Sequence, residues 1–98
     1  MIKVKINNDS VVIKGHANFD DYGKDIVCAA VSSIVTASVN DMHIVNPKGL
    51  NYEDDGVTIR IEIVQNDELL YKLLNNLQEL LINLAEDYPQ NIKVEREW

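Results

Sequence analysis

Residues Val57-Thr58-Ile59-Arg60-Ile61-Glu62-Ile63 alternate without interruption between apolar and polar side chains. A period of two belongs to a strand with one face in a core and the other in water. Sheets of this kind are antiparallel in the main and carry their helices on the covered face only. The same alternation recurs in Ile2, Val4 and Ile6 against Lys3 and Lys5, and in the run from Ile92 to Glu97, which reads as an edge or central strand. Turn-forming residues 7–10 (NNDS) separate the first run from a short β-rich run, Val11 to Lys14, so these two pair as a hairpin. Leu50 and Tyr52 precede Glu53-Asp54-Asp55-Gly56, a turn signal that makes a second hairpin with 57–63.

Between the strands the period changes. From about Gly23 to Met42, residues Ile26, Val27, Ala30, Val31, Ile34, Ala37 and Ser38 fall on one arc of a helix. Asn46-Pro47-Lys48-Gly49 stops it. Asn66 or Asp67 caps a second helix, whose core face carries Leu69, Leu70, Leu73, Leu74, Leu77, Leu80, Leu81 and Leu84, and Pro89 ends it. The order ββαββαβ predicts an α+β domain, two helices packed on one mostly antiparallel sheet.

A chain of 98 residues forms one domain, 1–98, with a core small enough to gain from dimerisation. Sixteen acidic against nine basic side chains give a formal charge of −7. Such a field argues against direct nucleic-acid binding and favours a cationic partner. One cysteine makes no internal disulfide, and the alternating start has no apolar segment of signal-peptide length. No run approaches the roughly 18 apolar residues of a membrane span. The expectation is a cytoplasmic protein with no membrane partner.

Chemistry concentrates in residues 15–32, GHANFDDYGKDIVCAAVS. Taking Asp25 as zero, Cys28 lies near 300° and Ser32 near 340° at about 100° per residue. That phase sets Cys28 off the core-facing arc, beside Asp25, Ala29, Ser32 and Thr36, all small. Tight packing of another chain segment is one reading of this face, and a substrate groove is the other. Cys28 also falls in the first turns of its helix, where unpaired N–H groups and the positive dipole end favour an anion. A thiol there, beside an imidazole, is displaced from about 8.5 toward neutrality.

His16, twelve residues before Cys28, is the natural base, and Gly15 before it permits a tight strand exit. The helix-end amides are placed to hold an oxyanion. His43 reads as a surface or helix-end residue. One thiol and two histidines make a zinc site improbable, no glycine-rich phosphate loop is present, and no metal or cofactor is expected. A buried structural cysteine remains the alternative to a nucleophile.

Gly15-His16-Ala17, Gly23 and Asp25-Ile26-Val27-Cys28-Ala29-Ala30-Val31-Ser32 resemble the bacterial ribosomal-processing cysteine proteases, the Prp family. The likeness continues through Asn51-Tyr52, the leucine-rich helix and the last strand. The resemblance implies a homodimeric endopeptidase that removes the N-terminal extension of a large-subunit ribosomal protein, L-twenty-seven. It implies Cys28 and His16 as the catalytic dyad, and Gly15, Asp25 and Ser32 as matches to the family's glycine, aspartate and serine. Asp25 either orients His16 or caps the helix. Ser32 and Ala29 are expected in the substrate groove, beneath a loop 17–24 that folds over it. A non-catalytic module that clasps a ribosomal-protein tail or assembly intermediate, and a thiol redox sensor, are the rival readings.

Overall fold

The computed structural model describes residues 1–15 and 24–97, with the side chains of 24 and 25 left out of the description. The described residues form β1 (Ile2–Ile6), β2 (Ser10–Lys14), α1 (Lys24–Val45), β3 (Leu50–Asp54), β4 (Thr58–Ile63), α2 (Glu68–Asp87) and β5 (Ile92–Arg96). This is the expected ββαββαβ order. The strands make one sheet in the order β3-β4-β2-β1-β5. Three of its pairings are antiparallel, and β5 lies parallel to β1 with Ile2 opposite Ile92. The last strand is therefore an edge.

The alternation seen in the sequence becomes burial. Val4, Ile6, Val11, Ile13, Ile59, Ile61 and Ile63 point into the core, while Lys3, Lys5, Lys14, Arg60 and Glu62 point out. Both helices cover the inner face and pack on each other. From α2 the row Leu70, Leu74, Leu77 and Leu81 is fully buried, but Leu69 and Leu80 are exposed, so the leucine stripe is narrower than the sequence implies. A straight helix above a flat sheet buries only an arc, and eight leucines spread beyond it. Gln78 takes one buried place instead, its side-chain amide donating to the carbonyls of Asn7 at 2.9 Å and Ser10 at 3.4 Å. These bonds satisfy the β1–β2 turn from beneath.

Asp67 is the residue that caps α2. Its carboxylate accepts from the N–H groups of Leu69 (3.0 Å) and Leu70 (3.2 Å) and from the Asn46 side-chain amide (2.9 Å). The Asn46 bond, then the Leu70 bond, hold its pKa below the ordinary carboxylate value. Asn46 thereby ties the end of α1 to the start of α2.

The core arc of α1 also differs from the expected one. Val27, Val31, Val35, Val39 and Met42 are buried, whereas Ile26 is 63% exposed. The stretch Ile26–Val45 is, by length and composition alone, long and apolar enough to cross a membrane, which corrects the expectation that no such run exists. Much of that apolarity is the valine row packed in the core.

Candidate active site

Strand β2 ends at Gly15, whose φ of +84° lies in the left-handed region. A β-carbon there would stand 2.8 Å from the Met1 carbonyl oxygen. Backbone sign and space both demand glycine. Its N–H donates to the Val57 carbonyl at 3.2 Å, which pins the strand exit to the β3–β4 turn. His16 is the next residue in sequence. His16 itself, and residues 17–23 of the expected loop, lie outside the described residues.

Cys28 is the fifth residue of α1, about 6 Å along the axis from the first. The four preceding N–H groups have no partner within the helix and gather the positive end of its dipole. The thiol is only 2% exposed and belongs to the core cluster. This corrects the phase reading, which turned Cys28 away from the core. The reason is the weight given to Ile26 and Ala37, both exposed, and the omission of Val35, Val39 and Met42. With the arc centred on Val35, Cys28 lies about 20° from its middle and Ser32 about 60°.

Ala29, Ser32 and Thr36 are exposed, as a groove requires. Ser32, Ser33, Thr36, Ala37 and Asn40 line an open depression of about 430 Å³ along the helix. Among the described residues neither Cys28 nor Ala29 lines this depression. Whether Asp25 orients the imidazole or caps the helix falls outside the described residues, since only its backbone is placed.

His43 is exposed in the last turn of α1, fifteen residues beyond Cys28. At about 1.5 Å per residue that is roughly 22 Å along the axis, too far for proton transfer to the thiol. Of the two histidines, His16 is therefore the one whose chain position is compatible with Cys28.

A thiol in the second turn of a helix, in a chain whose sequence puts a histidine between that helix and the strand before it, supplies the components of a small thiol hydrolase. The family model described as Cysteine protease Prp matches residues 1–93, and the chain belongs to that family. It is a cysteine-type peptidase. The ribosomal processing cysteine protease Prp of Mycoplasma pneumoniae is 33% identical over 95 residues, spanning 97% of this chain and 94% of the relative. The crystal structure of the essential ribosomal processing protease Prp from S. aureus with a substrate peptide has 30% identity and a TM-score of 0.82. It aligns over 99% of this chain and 100% of that one. The same S. aureus protease with a covalently linked product peptide has 31% identity and a TM-score of 0.79 over the same shares.

Proposed function

We propose that the protein removes the N-terminal extension of a large-subunit ribosomal protein, L-twenty-seven, acting as a homodimer in the bacterial cytoplasm. Cys28 is the nucleophile and His16 its base, with Gly15 positioning the histidine. The Cys28 sulfur forms a bond to the scissile carbonyl carbon as its proton passes to His16. Collapse of the tetrahedral species breaks the C–N bond, and the imidazolium returns the proton to the leaving amine. Water activated by His16 then cleaves the thioester and frees the carboxylate.

The observation that carries this reading is the placement of Cys28 in the second turn of α1, in a chain whose β2 exit is fixed at Gly15, immediately before His16 in sequence. Gly15 ends the strand, and Cys28 lies near the N-terminal amides of the next helix. Those amides are placed to hold the oxyanion. The covalently linked product seen in the S. aureus protease accords with a thiol nucleophile. A basic tail suits a chain of charge −7, and the exposed Ala29 and Ser32 leave room for an extended peptide.

The test is incubation with the extended ribosomal protein beside Cys28→Ala and His16→Ala variants. Wild-type protein is expected to release the tail and both variants to leave it attached. Binding without cleavage by the wild type refutes the reading and favours a clasping module.

A further inference from the structure

Strand β3 is outermost in the sheet, and only β4 pairs with it among the described residues. The register says which of its backbone groups are left over. The Gly49 carbonyl accepts from the Val64 N–H at 2.8 Å, and the Asp55 N–H donates to the Thr58 carbonyl at 3.2 Å. Both bonds continue the ladder in which Asn51 faces Glu62 and Glu53 faces Arg60. In an antiparallel pair, alternate residues exchange hydrogen bonds with the partner strand. Residues 49, 51, 53 and 55 therefore bond to β4, and the N–H and C=O groups of Leu50, Tyr52 and Asp54 point out from the edge. The side chains of Tyr52 and Asp54, opposite Ile61 and Ile59, lie on the inner side of the sheet. Tyr52 is 39% exposed there, and its pKa is raised by burial and then by the Asp54 carboxylate.

An open edge is a template for another strand unless something guards it. β3 has no proline, no lysine and no bulge in its register with β4. What it carries is acid: Glu53 and Asp54 in the strand and Asp55 in the turn, with no cation from Leu50 to Val57. Lys48 stands two residues before the strand, at the end away from the turn. Arg60 of β4 and Lys14 of β2 stand inward of the edge, in a trough shared with the three carboxylates, and Glu62 faces Asn51. Like charges set side by side on neighbouring strands are destabilising, so this edge repels a second copy of itself and suits a cationic strand. It also lies on the side of the nucleophile. Helix α1, which carries Cys28, packs against β3, and the turn after β3 accepts the Gly15 N–H at the Val57 carbonyl. The other edge, β5, meets α2 and balances Lys93 and Arg96 against Glu95 and Glu97.

We propose that the cationic tail of the substrate adds to the free edge of β3 as a sixth strand, bonded to the backbone of Leu50, Tyr52 and Asp54. This rests on the reading above that the substrate is a basic peptide extension. Five residues of β3 match about 17 Å of extended tail. Main-chain bonds hold the tail whatever its sequence, and the carboxylates supply the preference for cations. Alternate tail side chains turn to the inner side, beside Tyr52.

The experiment is fluorescence anisotropy of a labelled synthetic peptide of the extension, titrated with Cys28→Ala protein so that it is bound and not cut. A series of peptides carries one backbone N-methyl group each, at successive positions. A tail bound as a strand is expected to lose affinity at every second position, about tenfold where the amide faces β3 and less than about twofold between. Tyr52→Pro removes one outward N–H and spares the bonds to β4, a place where an edge strand accepts proline. It is expected to bind about tenfold more weakly than Tyr52→Val, which keeps the N–H. The peptide series leaves the edge unaltered, so it decides the matter even where Tyr52→Pro fails to fold. Losses without a period of two, or equal binding by folded Tyr52→Pro and Tyr52→Val, overturn the proposal. So does self-association of the wild type in sedimentation that Tyr52→Pro abolishes, which assigns the edge to a second copy. Cleavage by the wild type is read separately. Cleavage without the period of two removes this proposal and leaves the protease reading, and the period without cleavage does the reverse.

Discussion

Gly15→Ala, compared with Gly56→Ala, isolates what the strand exit contributes to catalysis. Both glycines have positive φ, +84° and +87°. A β-carbon at Gly56 meets nothing within 4 Å, so alanine there bears only the left-handed strain. That strain is roughly 1–2 kcal/mol, offset by roughly 0.4–1 kcal/mol from a stiffer unfolded chain. A net loss of about 1 kcal/mol lowers Tm by about 4–8 °C in a domain this size. At Gly15 the new β-carbon stands 2.8 Å from the Met1 carbonyl oxygen, against 3.4 Å for ordinary contact, so 0.6 Å must be found. Met1 cannot yield freely, because the next N–H, that of Ile2, donates to Asn91 at 2.8 Å. Overpacking of this kind adds about 1–2 kcal/mol, for a total near 2–3 kcal/mol and a Tm at least about 5 °C below that of Gly56→Ala. The same displacement reaches His16 through a single peptide unit. A fall of about tenfold in kcat/KM toward a tail peptide is expected, with Gly56→Ala unaffected. Differential scanning calorimetry and a peptide-cleavage assay read the two effects. Equal Tm values for the two variants refute the contact argument, and an unchanged kcat/KM in Gly15→Ala refutes the positioning role.

Other outcomes follow from the same structure. Asp67→Ala removes the cap of α2 and should lower Tm at neutral pH. The folded pKa of Asp67 is depressed, so its contribution is complete above the unfolded value of about 3.9 and fades as pH falls through the folded one. Wild-type and Asp67→Ala melting curves should therefore converge on acidification; a constant gap refutes the linkage. Gln78→Leu leaves the carbonyls of Asn7 and Ser10 without their buried donor, at a cost of about 1–3 kcal/mol in urea denaturation. Stability equal to wild type shows that water replaces the amide. Ser32→Trp, at an exposed position beside the thiol, should raise KM for the tail peptide while Tm stays nearly unchanged. An unaltered KM places the substrate elsewhere.

The strands were legible in the sequence because a one-sided sheet writes its burial into strict alternation. Thr58 to Ile63 and Ile2 to Ile6 needed no tertiary information, whereas Val57, read as the first residue of the alternation, lies before β4 and is exposed. The turn of β5 was not legible: alternation is the same for parallel and antiparallel partners, and only the path of α2 across the sheet decides between them. Helix phase was the less secure reading. The arc of α1 is set by Val35, Val39 and Met42, and the exposed Ile26 at its start rotated the inferred face enough to place Cys28 outside the core. Small residues such as Ala29, Ser32 and Thr36 carry little hydropathy signal, so nothing in the sequence corrected that rotation. Gln78 was missed for a related reason: its burial depends on two turn carbonyls from a hairpin some seventy residues earlier. Gly15 was legible from motif, and the sign of its φ gives that glycine its physical cause.

The parallel ladder between β1 and β5 joins positions ninety residues apart, Ile2 to Ile92. The earliest of the described strands in the chain is thus the last to acquire its second neighbour. Until residues 92–96 arrive, β1 presents a bare edge of backbone donors and acceptors on the side away from β2. Such a contact is slow to form and exposed to wrong partners while it waits. Chains cut short before β5 should aggregate and lack activity, although every residue of the candidate dyad is present. A stop codon near position 90 would therefore be read as a null allele through a strand some ninety residues earlier.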